Sequence, residues 1–243
     1  MGIYVDAFVR RVRGCAAKMG RDLAPISDRH RSVRLVESDA RSVERGFAAG
    51  LLTIESVNRV HTRDPKQVTT WLVQGDPAEL NWTALPALAA YVELIEDLGY
   101  PRTAVRFGTP DGEFAVDLAA VDEDGKVLVL GRAEPEPILL NLLQALVVTY
   151  DGDPLTPWDG TQATDAERLA HQLRATQAPY LLLVAPGTRR AFRVTYGRTI
   201  KLHPVPELPT ADMFWPYGYD GPVPDLHHAI PDVEVDVMTS QAV

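Results

Sequence analysis

The apolar positions of this chain change period several times, and each change marks an element. Trp82 to Leu98 carries the clearest helical repeat. Leu85, Leu88, Val92 and Ile95 fall on one face, Tyr91 and Leu98 lie beside them, and Glu93, Glu96 and Asp97 crowd the polar side. Asn81 is placed to cap its start, Pro86 falls in the first turn where a missing N–H costs little, and Gly99 with Pro101 supplies the stop. Residues 3–19 repeat the pattern with Val5, Phe8, Val12, Cys15 and Met19 inward and Arg10, Arg11, Arg13 and Lys18 elsewhere. Ile138 to Val148 is almost wholly apolar and predicts a helix buried on several sides. Thr164-x-x-Glu167 is a capping box that opens a helix running to Thr176. A short helix is expected over Asp39–Gly46.

Other runs are strand-like, rich in Val, Ile, Thr and aromatics. Leu51–Val60 and Val68–Val73 flank a turn at Asp64-Pro65. Ala104–Phe107 precedes a turn at Pro110-Asp111-Gly112. Residues 114–121 and 126–134 form a hairpin around Asp122-Glu123-Asp124-Gly125, where Asp and Gly suit a tight reversal. Asp151–Gly160 reads as a loop. Tyr180–Val184 and Ala191–Tyr196 make a second hairpin around Pro186-Gly187. From residue 82 the order is helix, three strands, two helices, two strands. It predicts an α/β (α+β) chain with a mixed sheet flanked by helices. Three parts are expected: a small α+β N-terminal unit over 1–76, the main domain over 77–203, and a Pro-rich, aromatic, acidic arm over 204–243.

Charge sharpens this division. The whole chain carries a net charge of −9, yet residues 1–65 hold 12 Lys and Arg against 8 Asp and Glu. Beyond Lys201 there are seven acids and no Lys or Arg. The overall field opposes non-specific nucleic-acid binding, so such contact has to be local. The basic side of the first helix reads as a solvated face or as a phosphate-facing or partner-facing one, and the acidic arm as a segment that can occupy a basic surface. With one cysteine, Cys15, no internal disulfide or cysteine-rich zinc site is expected. No run is long and apolar enough for a membrane span, and the N-terminus lacks a signal-peptide pattern, so a cytoplasmic protein is the expectation. The six histidines show no H-x₃-H or HExxH spacing, and there is no Walker loop, GxGxxG or GxSxG.

The chemistry concentrates in the first hairpin. Alternation puts Leu130, Arg132 and Glu134 on one face of the second strand, with Asp117 on the strand beside it. Two carboxylates converging at a sheet edge are hard oxygen ligands for Mg²⁺ or Mn²⁺, and a neighbouring cation can neutralise a phosphorane-like transition state. Arg132 is never deprotonated near neutral pH. At a ligand position it repels a metal and pairs instead with Asp117 or Glu134.

Residues 82–200 resemble the PD-(D/E)xK, or restriction-endonuclease-like, superfamily. The helix YVELIEDLGYP, the strands AVRF, FAVDLAAV and KVLVLGRAE, and the helix that follows keep the order of that core. The resemblance places the family's first acid on Asp117. Its Glu-x-Lys motif falls on Arg132-Ala133-Glu134, with base and acid exchanged. It further implies that Glu93 or Glu96 of the first helix can supply a metal-binding carboxylate. The expected function is that of a nuclease-fold protein acting on or binding nucleic acid with a degenerate metal site, a pseudo-nuclease. The alternatives are a Mg²⁺-dependent nuclease with an inverted motif, and a non-enzymatic scaffold that meets a protein partner through its acidic arm or N-terminal helix.

Overall fold

The computed structural model describes residues 2–63, 68–107, 117–150 and 164–215. The turns at Asp64-Pro65 and Pro110-Asp111-Gly112, residues 114–116, the loop Asp151–Gly160 and the arm beyond Trp215 lie outside the described residues.

Helix α1 (Ile3–Lys18) buries Val5, Phe8, Val12 and Cys15, the face the sequence indicates. Arg11 on its flank pairs with Glu44 at 2.6 Å and covers the Phe47 ring. Helix α2 (Asp28–Arg34) has no buried residue and hence no apolar period to reveal it. The Ser27 side chain caps its start by accepting from the His30 N–H. Helix α3 (Glu37–Ala48) crosses α4 (Ala84–Glu96) closely at Gly46, where a Cβ would lie 2.4 Å from Val92 Cγ2.

The expected strand Leu51–Val60 is in fact a hairpin, β1 (Leu52–Glu55) and β2 (Arg59–Thr62). The chain reverses at Ser56, whose φ of 61° lies in the left-handed region. The Asn58 side chain secures the reversal through paired hydrogen bonds with the Val73 backbone at 2.6 and 2.7 Å. With β3 (Val68–Trp71) these strands form a three-stranded sheet, and β4 (Val73–Gln74) pairs with β5 (Glu79–Leu80).

The central sheet has six strands in the order β11-β10-β9-β8-β7-β6. They are β6 (Val105–Arg106), β7 (Leu118–Val121), β8 (Val127–Ala133), β9 (Tyr180–Ala185), β10 (Thr188–Tyr196) and β11 (Ile200–Val205). Only β8 and β9 run parallel. They are joined through α5 (Pro137–Thr149) and α6 (Asp165–Thr176), since a parallel pair needs a crossover. Both strands are apolar almost throughout, because each of their faces is covered. Leu118, Leu182 and Val184 face a core shared with α1, α3 and α4, whereas Ala119, Leu130, Leu181 and Leu183 face one shared with α5 and α6. This is a three-layer mixed α/β arrangement.

The expected N-terminal unit shares that first core: Val60, Leu72, Leu88 and Leu182 belong to one continuous cluster, with no break near residue 76. The arm expected from residue 204 starts inside β11, and its beginning is part of the fold. Leu208 and Trp215 are buried, and the Tyr100 hydroxyl donates to the Pro209 carbonyl at 2.8 Å. Trp215 meets the Tyr100 ring edge-on and Phe214 meets Tyr180 likewise.

Candidate functional site

Asp117 stands immediately before β7. Leu118 pairs with Gly131, so Asp117 comes opposite Arg132 across the ladder. Gly131 lets the strands close there, since a Cβ would sit 2.8 Å from Leu118 Cβ. Leu130 points into the core beneath α5 and α6, and alternation carries Arg132 and Glu134 to the same side.

Arg132 Nε lies 3.6 Å from Asp117 Oδ2 and 3.6 Å from Glu134 Oε1, while Nη2 reaches Asp165 Oδ1 at 3.0 Å. The guanidinium therefore occupies the centre of three carboxylates. Its side chain is 15% exposed, against 32% for Asp117, 13% for Glu134 and 55% for Asp165. The Ala133 N–H donates to Asp117 Oδ2 at 2.7 Å, and the Glu134 N–H donates to the Val184 carbonyl at 2.8 Å, which fixes both acids to the sheet. Burial pushes the Asp117 and Glu134 carboxyls above their ordinary range, and the Arg132 charge pulls each back. A third of the Asp117 side chain still reaches solvent. Arg132 is held above its ordinary value by the surrounding acids, which outweigh its own burial.

These residues do not fit a divalent cation. An ion bridging Asp117 and Glu134 would take the space of the guanidinium, whose charge repels it and which offers no lone pair. Among the described residues no group of three or more His, Cys, Asp or Glu suits a metal. Glu93 does not join the cluster. It faces the other side of the sheet, where Arg189 Nε donates to its Oε2 at 2.8 Å and the Ser42 hydroxyl to its Oε1 at 3.1 Å. Glu96 is exposed near the end of α4.

Two further acids matter that sequence reasoning did not single out. Asp165 is the first residue of α6, and the capping box that seats it, with Thr164 and Glu167 bonded reciprocally, was the available signal. Asp39, 2% exposed, binds Arg189 Nη2 at 3.0 Å and accepts from the Gly187 N–H at 2.9 Å. Of the turn Gly187-Thr188-Arg189-Arg190, Arg189 is thus held inward against α3 and α4, whereas Arg190 stays partly exposed on the opposite side of the sheet. Arg190 donates to Asn141 Oδ1 at 2.7 Å. Cys15 is buried, and burial pushes its thiol up, which suits filler rather than a nucleophile. His171 is buried and held below its ordinary value by desolvation, and His203 shares a hydrogen bond with Thr195. His227 and His228 lie outside the described residues. No helix among the described residues is long and apolar enough to cross a membrane.

Compared with protein families, with curated proteins and with solved structures, the chain matches none.

Proposed function

We propose that this chain is a nucleic-acid-binding protein on a restriction-endonuclease-like scaffold that does not hydrolyse its ligand. The observation that carries the non-hydrolytic reading is Arg132, seated between Asp117, Glu134 and Asp165 where a metal would act. The order α4, three antiparallel strands, helices, further strands supports the scaffold, because it is the order the sequence resemblance implies. Arg10, Arg13, Lys18 and Arg21 are exposed on the positively charged N-terminal stretch and support a local phosphate contact against the overall negative field. Such contacts position a nucleic acid without reading its sequence.

The test is incubation of labelled single- and double-stranded DNA and RNA with the protein in Mg²⁺ or Mn²⁺, with Asp117→Ala in parallel. Binding that weakens as salt rises, with no product from either protein, is the expected result. Metal-dependent cutting that disappears in Asp117→Ala would overturn the non-hydrolytic reading in favour of an inverted active motif. Absence of binding to every ligand at low salt would overturn the nucleic-acid reading.

A further inference from the structure

The segment after α1, the β1–β2 turn, the end of β3 and β4 wall a cavity of about 410 Å³. That volume lies within the roughly 300–1,000 Å³ of ligand sites. Arg21, Arg59 and Trp71 line it together with Met19, Val57 and Asn58, and none of its lining residues is a carboxylate. Asp22, Glu55 and Asp76 neighbour lining residues in sequence or in register, yet stand outside the lining. In a chain of net charge −9, two arginines without an acid beside them make a local exception that favours an anion.

Arg59 and Trp71 are cross-strand partners and therefore share one face of the small sheet. Arg59 Cζ lies 6.0 Å from the Trp71 ring centroid, at the outer limit of a cation–π contact. Arg21 spends Nη1 on the Gly75 carbonyl at 3.1 Å and keeps its other donors, and neither arginine pairs with a carboxylate among the described residues. The walls are fixed, since that bond ties the segment after α1 to Gly75 and Asn58 ties the β1–β2 turn to Val73.

We propose that this cavity binds one nucleotide of an unpaired DNA or RNA strand, with the base stacked on Trp71 and the phosphate held by Arg21 and Arg59. The proposal rests on the nucleic-acid reading above and gives it a site and a ligand class.

The guanidinium forks suit phosphate oxygens, and the half-buried Trp71 is held in place while part of its ring stays accessible. A flat ring beside phosphate-binding groups is what a nucleotide uses in full. An acidic peptide would satisfy the arginines and leave Trp71 idle. A duplex hides the faces of its bases in its own stack, so only an unpaired strand can offer one to Trp71. A strand fits better than a free nucleotide because positive charge continues outside the cavity, at the exposed Lys18 and Arg13 of α1, where neighbouring phosphates would lie.

The test titrates the full chain against labelled oligo(dT), oligo(U) and a DNA duplex of equal length by fluorescence anisotropy at low salt. Both single strands should bind about tenfold more tightly than the duplex. Trp71→Leu keeps apolar bulk but removes the flat ring. It should weaken single-strand binding by about tenfold and leave duplex binding unchanged, whereas Trp71→Phe should retain most of the affinity. Arg21→Ala and Arg59→Ala should each lower the slope of log affinity against log salt by about 0.7, the loss of one phosphate contact on a single strand. Both arginines are exposed, so these two variants should melt close to the wild type and carry the test should the Trp71 variants fail to fold. Strand binding indifferent to Trp71→Leu in a folded protein, slopes unchanged in both arginine variants, or a duplex bound as tightly as the strands overturns this site and leaves the nucleic-acid reading standing. Poly-glutamate or uridine monophosphate competing as well as oligo(U) would make the occupant an acidic peptide or a free nucleotide, and either overturns the strand. Absence of binding to every nucleic acid at low salt overturns both readings.

Discussion

Arg132 links the sequence pattern to a physical consequence, since one guanidinium is shared by three carboxylates and no second base is needed to explain the site. Asp117 and Glu134 owe their tolerance of partial burial to it. Arg132→Ala should therefore destabilise the protein by about 2–3 kcal/mol at neutral pH, less than the ~3–5 of a fully buried pair because Asp165 and part of Asp117 reach water. The loss should shrink on acidification. Removing the cation raises both carboxyls further above their unfolded values, so the folded state binds protons more tightly than the unfolded one. A penalty of that sign is absent at low pH and appears as pH rises through the interval between the two values. Urea unfolding of wild type and Arg132→Ala from acid to neutral pH measures it, and an equal gap at every pH would contradict the assignment. Alternation alone brought Asp117, Arg132 and Glu134 together. Asp165 was illegible as a partner because only the α5–α6 crossover carries it to the end of β8.

At the scale of elements, α3 and α4 are fastened to the sheet by a charge network rather than by packing alone. Arg189 on β10 binds Glu93 of α4 through two nitrogens and Asp39 of α3 through one, and its Nη1 donates to the Ala185 and Thr188 carbonyls. The fork geometry is what Arg offers and Lys does not. Arg189→Ala should cost about 3–5 kcal/mol, since it leaves Asp39 buried and unpaired opposite Glu93, and Arg189→Lys should recover only part of that. Chemical denaturation of the two variants tests this. Wild-type stability in either would show the network to be dispensable. Elements with local signals were legible: the capping box of α6, Gly99 after α4 with its φ of 74°, and the apolar face of α1. Those stabilised from outside were not. α2 buries nothing of its own and is latched by Arg34 to Glu136 and over the Trp82 ring. The β1–β2 reversal relies on Asn58 reaching Val73, a contact no short-range pattern announces. β11 carries Lys201, His203 and Pro204 on an open sheet edge, where Pro and exposed polar side chains are admitted and the strand signal is faint.

For the whole molecule, charge and anchoring divide the C-terminal region at a place composition did not mark. Pro, acids and aromatics begin together near residue 204, but burial continues to Trp215, whose ring packs on Tyr100. Residues 216–243 contain five acids and no Lys or Arg, so their removal takes the net charge from −9 to −4 and leaves the anchor in place. The exposed basic residues of α1 then act in a weaker opposing field. If the acidic segment competes with phosphate for that surface, a chain ending at Trp215 should fold normally and bind single-stranded nucleic acid several-fold more tightly than the full chain at low salt. The gain should fade as salt shortens the Debye length to about 8 Å near physiological ionic strength. A chain ending at His203 is the informative contrast. It loses the last two residues of β11 together with Leu208 and Trp215, and it should be markedly less stable rather than merely more adhesive. Fluorescence anisotropy and thermal melting of the two truncations separate the effects. Equal affinity of the full chain and the Trp215 truncation across the salt series would mean that the acidic residues serve solubility or another partner and do not shield the N-terminal surface.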